Sequence, residues 1–251
     1  MRRLFPGRFA AVDPVEIYAA AERQVPADRP WILLNMVASI DGATAVDGVS
    51  GGLGGAGDRA TFRAIRGVPD VIVAAAGTVR AEAYGAPNPS ERIRAMRHDR
   101  GQAEAPRLAV LTRSIDLDLS SPLFTEAERA PLVITTETAD RDRLAAVVAA
   151  GAEVIAAGSG DVDLAEAFGA LRRSGVGIVL VEGGPSLNGQ LVAAGLVDEV
   201  CITVAPTLVG GDAARLAHGE TAAPSSFELA HVLELDGELC CRYIRATSEP
   251  G

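Results

Sequence analysis

The stretch Glu182-Gly183-Gly184-Pro185-Ser186-Leu187-Asn188-Gly189 is more informative than any other part of this chain. The apolar run before it, residues 178–181, predicts a buried strand, and residues 190–194 after it predict a helix. A strand, a turn with two glycines and a helix whose first amides lack partners form a typical site for a phosphate-bearing ligand. The glycines let the backbone approach such a ligand, and the helix N-terminus favours its negative charge. The alternative is an ordinary tight connection between a strand and a helix.

Strand and helix patterns alternate outward from this stretch. Apolar runs predict strands at residues 31–37, 71–76, 108–111, 132–135, 153–156 and 199–205. Helical patterns occur at residues 58–66, 140–150 and 164–173, and Asp58 is placed to cap the first of them. Asp236-Gly237, between residues 228–234 and 238–244, predicts a β-hairpin. We therefore expect an α/β fold with helices on both faces of a mainly parallel central sheet and a C-terminal antiparallel hairpin.

The length and the absence of repeats or linkers predict a single domain over residues 1–251. Residues 1–29 form an N-terminal extension around an amphipathic stretch, 14–23, that packs on the domain or reaches a partner. Residues 30–246 form the core. Within it, the polar and arginine-rich residues 87–102 predict a surface loop or an exposed helix.

Composition argues against several classes of function. The net charge is −10, whereas a nucleic-acid surface usually needs a basic face. An anionic ligand would need a local cluster of arginines. No run approaches the roughly twenty apolar residues of a membrane span. The three cysteines and three histidines fall in no ligand-like spacing, so we expect no metal site and a reducing cytoplasmic location.

Polar residues follow the predicted strands, where ligands bind in parallel sheets. Ser39 and Asp41 follow the first strand, Thr78 the second, and Glu182 a later one. Thr112-Arg113-Ser114 follows the third. The sequence therefore predicts a ligand site at the carboxyl ends of these strands.

Five motifs make the prediction more specific. They are Ser39-Ile40-Asp41-Gly42, Ile65-Arg66 leading to residues 70–73, Gly77-Thr78-Val79, Glu182-Gly183-Gly184, and residues 196–199 leading through Ala205-Pro206 to Gly210-Gly211. With these motifs in this order, residues 30–246 resemble the reductase of riboflavin biosynthesis, a family related in fold to dihydrofolate reductase. The resemblance implies a dihydrofolate reductase-like, three-layer fold. It also implies an enzyme that uses NADPH to convert the ribosyl group of a phosphoribosylamino-pyrimidine to ribityl.

The resemblance assigns cofactor contacts. Thr78 and Glu82 contact NADPH, with Glu82 standing where the family usually has Asp. The pyrophosphate is wrapped by Gly183, Gly184, Pro185, Ser186, Leu187 and Asn188. Thr112, Arg113 and Ser114 surround the 2′-phosphate, because an arginine fork matches a phosphate. The alternative for Arg113 is an ordinary solvated residue at a strand end.

The resemblance also assigns substrate contacts to Ser39, Ser50, Arg66 and Glu182. Arg66 is a candidate phosphate anchor, or simply a helix C-terminal arginine that complements the dipole. Asp41 either orients the ring or holds its own loop. Glu182 can accept hydrogen bonds from ring nitrogens or sugar hydroxyls. The proton for the reaction comes from Glu182, Asp41 or water, and the sequence does not choose.

Two segments depart from the family pattern. Residues 51–55 are glycine-rich after Ser50, where the family often has an aromatic and a polar group. Residues 84–90 replace a Leu-Thr-x-Arg segment whose arginine contacts the substrate phosphate, so Arg92 or Arg94 supplies the charge or the substrate differs. The chain lacks the zinc deaminase signature, so we expect no deamination.

Three functions remain open in the sequence. The first is the pyrimidine reductase, acting on 5-amino-6-(5-phosphoribosylamino)uracil or its diaminopyrimidinone precursor. The second is a dihydrofolate or pterin reductase, and the third is an NADPH-binding regulator without turnover. The resemblance implies a homodimer, through the edge hairpin or the strand that begins near Glu199, because an exposed hairpin edge needs covering. We expect no nucleic-acid or membrane partner.

Overall fold

Continuous apolar segments form most of the strands in the computed structural model, which describes residues 1–7, 9–219 and 224–246. The strands are β1 Arg2–Phe5, β2 Ala10–Ala11, β3 Trp31–Ser39, β4 Val71–Ala75, β5 Arg107–Leu111, β6 Leu132–Thr135, β7 Glu153–Ala156, β8 Ile178–Val181, β9 Glu199–Ala205, β10 Phe227–Leu235 and β11 Glu238–Arg245. The helices are α1 Pro14–Ala19, α2 Ala56–Arg66, α3 Ala76–Ala81, α4 Glu91–Asp99, α5 Pro122–Thr125, α6 Arg141–Ala149, α7 Leu164–Arg173 and α8 Pro185–Ala193. The chain divides into two compact units.

One unit comprises Arg23–Trp31 and Arg66–Gly184 and contains an all-parallel set of strands in the order β8-β4-β5-β6-β7. The four residues of β8 and the first four of β4 are buried, as expected for parallel strands covered on both faces. Asp140 and Asp163 are the N-caps of helices α6 and α7, and their carboxylates accept hydrogen bonds from first-turn amides. Consecutive strands therefore end at one edge, which positions the polar residues that follow them.

The other unit comprises Met1–Glu22, Ile32–Ile65 and Pro185–Gly251. Its strands lie in the order β2-β1-β10-β11-β9-β3, with β3 parallel to β9 and the other pairs antiparallel. Strands β10 and β11 form the hairpin around Asp236-Gly237. The predicted α/β class, with a mainly parallel sheet and a C-terminal antiparallel hairpin, is confirmed. Among the described residues, no helix has the length and apolar character that crossing a membrane requires.

The N-terminal residues correct two expectations. Strand β1 pairs with the outer edge of β10, and β11 pairs with β9. Both edges of the hairpin are therefore covered by strands of the same chain, and the expectation of an exposed hairpin edge is wrong. The extension, expected only to surround an amphipathic stretch, contributes strands β1 and β2 to the sheet, and helix α1 covers residues 14–19 of that stretch.

The start of helix α2 corrects a third expectation, because Asp58 lies inside the first turn and does not cap the helix. The cap is Glu238 at the start of β11. Its carboxylate accepts hydrogen bonds from the amides of Gly55 (2.7 Å), Gly57 (2.7 Å) and Asp58 (3.2 Å). Since Glu238 is only 3% exposed, these charge-assisted bonds are shielded from water.

We expect Glu238→Gln to lower the free energy of unfolding by about 1–3 kcal/mol, the range for hydrogen bonds to a charged group. An amide keeps the size of the side chain but loses its charge and one acceptor oxygen. Urea titration followed by circular dichroism measures the change, and Glu228→Gln at an exposed position of β10 is the matched control. Equal midpoints for the two variants would show that Glu238 does not stabilise the helix start.

Candidate functional site

Three side chains of the Arg23–Trp31/Arg66–Gly184 unit meet at the end of strand β8. Arg66, the last residue of α2, donates to Glu182 in a fork: Nε to Oε1 and Nη2 to Oε2, both at 2.7 Å. The hydroxyl of Tyr84, which follows α3, donates to Oε2 at 2.7 Å. The Arg66 guanidinium also lies 5.4 Å from the centre of the Tyr84 ring, within cation–π range. The structure thus brings together two of the predicted substrate residues and joins to them Tyr84, which the sequence did not predict as a site residue.

Burial shields this cluster from water and strengthens the attraction between Arg66 and Glu182. The Glu182 side chain is 2% exposed and that of Arg66 is 29% exposed. Burial lowers the pKa of Arg66, but the hydrogen bonds and charge of Glu182 outweigh it and hold that pKa above its usual range. Burial, followed by the negative charge of Glu182, raises the pKa of Tyr84. At neutral pH the arginine is therefore charged and the tyrosine keeps its proton.

Buried polar groups hold the backbone on either side of the cluster. Asp70 accepts hydrogen bonds from the amides of Gly177 and Ile178, where β8 begins. Arg97 donates to the carbonyls of Gly67 and Pro69, directly after Arg66. These contacts fix the two chain segments from which Arg66 and Glu182 project.

Residues 87–102 contain helix α4, most of whose residues are exposed as one of the two expectations had it, but its Arg97 is fully buried. Its helix, α4, buries Ile93 and Arg97, which stand four residues apart on one face. Burial lowers the pKa of Arg97 to about 10. The i, i+4 spacing was the available signal, and the polarity of the segment obscured it.

The turn after Glu182 brings two of the predicted cofactor residues, Thr78 and Gly184, close together. Gly183 has φ +93°, a left-handed conformation that favours glycine, and its carbonyl accepts from the amide of Ala75 at 2.8 Å. The Gly183–Gly184 peptide is cis. A Cβ on Gly184 would stand 2.8 Å from the hydroxyl of Thr78, so the glycine permits this close approach. Glu82 ends α3, with its amide bonded to the carbonyl of Thr78.

Helix α8 begins at Pro185, five residues earlier than the sequence predicted. Proline suits this first helical position because its missing N–H would have no partner there. Ser186 is exposed, whereas the side chains of Leu187 and Asn188 are buried. Asn188 donates to the carbonyl of Leu216, and its own carbonyl oxygen has no hydrogen-bond partner within the described residues. A ligand at this helix start would meet backbone amides and Ser186 rather than the other two side chains.

The residues after β5 have partners within the same unit, one of them buried and two exposed. The Thr112 hydroxyl accepts from the amide of Ile115, and the Ser114 carbonyl accepts from Arg143. Arg113 is 71% exposed at its side chain and pairs with the exposed Asp161 at 3.0 Å. Exposed pairs of this kind contribute little stability, so Arg113 can exchange Asp161 for another anion at low cost.

Of the arginines suggested to replace the missing family arginine, Arg94 is already paired. It bonds to Glu128 and lies 3.3 Å from Glu104. Arg92 is exposed on the same helix.

In the other unit, Asp41 connects two loops. It accepts from the Ser39 hydroxyl (2.5 Å) and from the amides of Val209 (3.2 Å) and Gly210 (2.7 Å). The Ser39 hydroxyl, then these amides, lower the pKa of Asp41 to about 2. The resulting stabilisation is present above the ordinary carboxyl pKa and is lost as the pH falls towards 2. This geometry favours a loop-holding role over proton donation. Ser50, another predicted substrate residue, is half-buried, and its backbone carbonyl accepts a hydrogen bond from the amide of Leu53.

Comparisons with known proteins agree on one family. The model of the RibD C-terminal domain matches residues 30–241. A 2,5-diamino-6-ribosylamino-4(3H)-pyrimidinone 5′-phosphate reductase of Methanothermobacter thermautotrophicus is 32% identical over 195 residues, which are 76% of this chain and 85% of the relative. The crystal structure of a pyrimidine reductase-like protein from Corynebacterium diphtheriae matches with a TM-score of 0.84 and 29% identity, covering 94% of this chain and all of that one. The Aquifex aeolicus reductase of the same name is 30% identical over 190 residues, which are 74% of this chain and 80% of the relative.

Proposed function

The chain belongs to the RibD C-terminal domain family, and on that premise we propose that it is an NADPH-dependent pyrimidine reductase. It converts the ribosyl group of a phosphoribosylamino-pyrimidine to ribityl in riboflavin biosynthesis. The names of the relatives favour the diaminopyrimidinone over the deaminated uracil as substrate. The observation that carries the proposal within this chain is the Arg66–Glu182–Tyr84 cluster at the carboxyl end of β8. Buried charged groups in such a position are suited to bind a polar heterocycle.

The residues present fit the proposed cofactor. The turn at Gly183 and Gly184 has no side chains, and helix α8 starts directly after it. A diphosphate would lie against the first amides of helix α8. Thr78 lies on α3 beside this turn, and Glu82 follows the same helix. We propose that Arg113, with Thr112 and Ser114, holds the 2′-phosphate that distinguishes NADPH from NADH.

We assign the chemistry as follows. When bound, NADPH would supply a hydride to C1′ of the ring-opened sugar in its imine or aldehyde form. The Glu182 carboxylate accepts a hydrogen bond from the pyrimidine, and Arg66 orients that carboxylate through two hydrogen bonds. Ser39 and Ser50 remain proposed substrate contacts. Asp41 holds the loop after β3. Because its pKa is low, it carries no proton to give at neutral pH, and water is the better proton source for the reduced sugar.

A turnover assay tests this function. Purified protein is mixed with NADPH and, in separate reactions, the diaminopyrimidinone ribosyl phosphate, the deaminated uracil and dihydrofolate. We expect NADPH oxidation with the diaminopyrimidinone and slower oxidation with NADH. Turnover of dihydrofolate alone would favour the pterin reductase, and NADPH binding without any oxidation would favour a regulator.

The replacement Gly184→Ala is expected to weaken NADPH binding about tenfold, equal to about 1.4 kcal/mol. The new methyl group would collide with the Thr78 hydroxyl at 2.8 Å and displace this proposed cofactor contact. Isothermal titration calorimetry measures the dissociation constant. Gly160→Ala is the control because a methyl group there meets open space. Unchanged affinity in Gly184→Ala would remove Gly184 and Thr78 from the cofactor site.

We also propose a homodimer that forms through a sheet face rather than a hairpin edge. On β9, half-buried apolar residues alternate with buried ones, and Ile202 and Val204 share a face with Leu239 of β11. Leu239 and Leu229 are each 37% exposed. A contiguous, partly exposed apolar face suits burial against a second copy. Light scattering at the monomer mass would contradict the dimer.

We place the enzyme in the cytoplasm with a small-molecule substrate. The three cysteines are free and buried, which agrees with a reducing compartment. Cell fractionation tests this location, and recovery from an oxidising compartment would contradict it.

A further inference from the structure

Tyr84 is the part of the cluster to which sequence motifs assigned no role. Its hydroxyl donates to Glu182 at 2.7 Å, and its ring lies beside the Arg66 guanidinium at 5.4 Å. It therefore contacts both members of the ion pair. An aromatic ring has few rotatable bonds, so it restrains the two flexible side chains at low entropic cost.

The hydrogen bonds to Glu182 are distributed unequally between its two oxygens. Within the described part of the chain, Oε2 receives bonds from Arg66 Nη2 and Tyr84, whereas Oε1 receives one from Arg66 Nε. A carboxylate offers about four acceptor positions, two on each oxygen. Oε2 is thus saturated, and Oε1 retains capacity for one further donor.

The cluster offers a negative oxygen and no acid. Burial and the adjacent carboxylate raise the pKa of Tyr84, so its hydroxyl stays protonated while it donates to Oε2. A group that keeps its proton in this way acts by position and not by proton transfer. A ligand atom that binds here must itself be a hydrogen-bond donor, since Glu182 presents only an acceptor.

We propose that Tyr84 is a positioning residue that fixes Glu182 so that Oε1 accepts a hydrogen bond from an N–H group of the aminopyrimidine. This proposal rests on the proposed function and deepens it. It predicts that Glu182 recognises the edge of the pyrimidine that carries N–H donors. Without the hydroxyl, Oε2 regains acceptor capacity, and the carboxylate loses one of the three bonds that orient it.

The variant Tyr84→Phe tests the proposal, because it removes the hydroxyl and keeps the ring beside Arg66. Both the dissociation constant and the KM for the diaminopyrimidinone ribosyl phosphate are expected to rise about ten- to hundredfold, the effect of one hydrogen bond to a charged group. The kcat and the KM for NADPH should stay within about twofold of the wild type. Tyr243→Phe, which removes a hydroxyl from β11, is the control and should leave all four quantities unchanged.

The outcomes separate this inference from the function on which it rests. If the wild type binds and reduces the pyrimidine, and Tyr84→Phe binds it with the same dissociation constant, only the role of Tyr84 is overturned. A fall in kcat with an unchanged KM would also overturn it, because the hydroxyl would then act in the chemical step. A wild type that neither binds nor reduces the pyrimidine would overturn the proposed function and this inference together.

Discussion

Glu182→Gln is expected to lower kcat/KM for the pyrimidine at least hundredfold, equal to about 3 kcal/mol of lost transition-state stabilisation. The substitution keeps the size of the side chain but removes its negative charge. Arg66 then remains half-buried beside a neutral amide, and removing one partner of a buried pair is more costly than losing an exposed one. The amide also places an N–H donor where the carboxylate offered only acceptors, so one ligand donor loses its partner.

Steady-state kinetics measures this effect, with Glu153→Gln as the matched control. Glu153 pairs with Arg107 at 2.9 Å in the same unit, but its side chain is 67% exposed. An exposed pair contributes about 0–1 kcal/mol, so Glu153→Gln should keep wild-type kinetics. If Glu182→Gln retained wild-type kcat/KM, the cluster at the end of β8 would not be the pyrimidine site.

Arg97→Met is expected to lower the free energy of unfolding by about 3 kcal/mol, because buried carbonyls lose their donor and each such loss costs about 1–3 kcal/mol. The Arg97 side chain is fully buried and donates to Ala103, Gly67 and Pro69. Methionine retains an unbranched apolar stem and a similar helix propensity, so the change mainly removes the guanidinium. The melting temperature should fall by about 6–12 °C in a domain of this size.

Differential scanning calorimetry checks this result. The control is Arg92→Met, which makes the same replacement at an exposed position of α4. Surface substitutions of this kind usually change stability by less than about 0.5 kcal/mol. Equal melting temperatures for the two variants would show that the Arg97 hydrogen bonds do not anchor the segment after Arg66.

Local signals in the sequence predicted most of the strands. Residues 132–135, 153–156 and 199–205 are strands with the expected bounds, because apolar runs or alternating apolar residues stand between clear turn signals. The start of α8 was missed for a local reason. Proline, serine, asparagine and glycine in residues 185–189 are typical of a turn, yet proline is also compatible with the first position of a helix.

Contacts between distant segments could not be predicted in the same way. Glu238 caps a helix that lies about 180 residues earlier in the chain, so the nearby Asp58 was the better local candidate. Tyr84 and Glu182 are 98 positions apart, and only the fold brings them into contact. Motif matching selected Arg66 and Glu182 separately, but their pairing changes the chemistry of both. Because Arg66 is paired with Glu182, it is a poorer phosphate anchor than the sequence suggested.

The most direct test of the account is the product formed from NADPH and the diaminopyrimidinone ribosyl phosphate by the wild-type protein, identified by mass spectrometry. The account predicts a ribityl product that is two hydrogens heavier than the substrate, formed in step with NADPH oxidation. Unchanged substrate after prolonged incubation with folded protein and excess NADPH would contradict it.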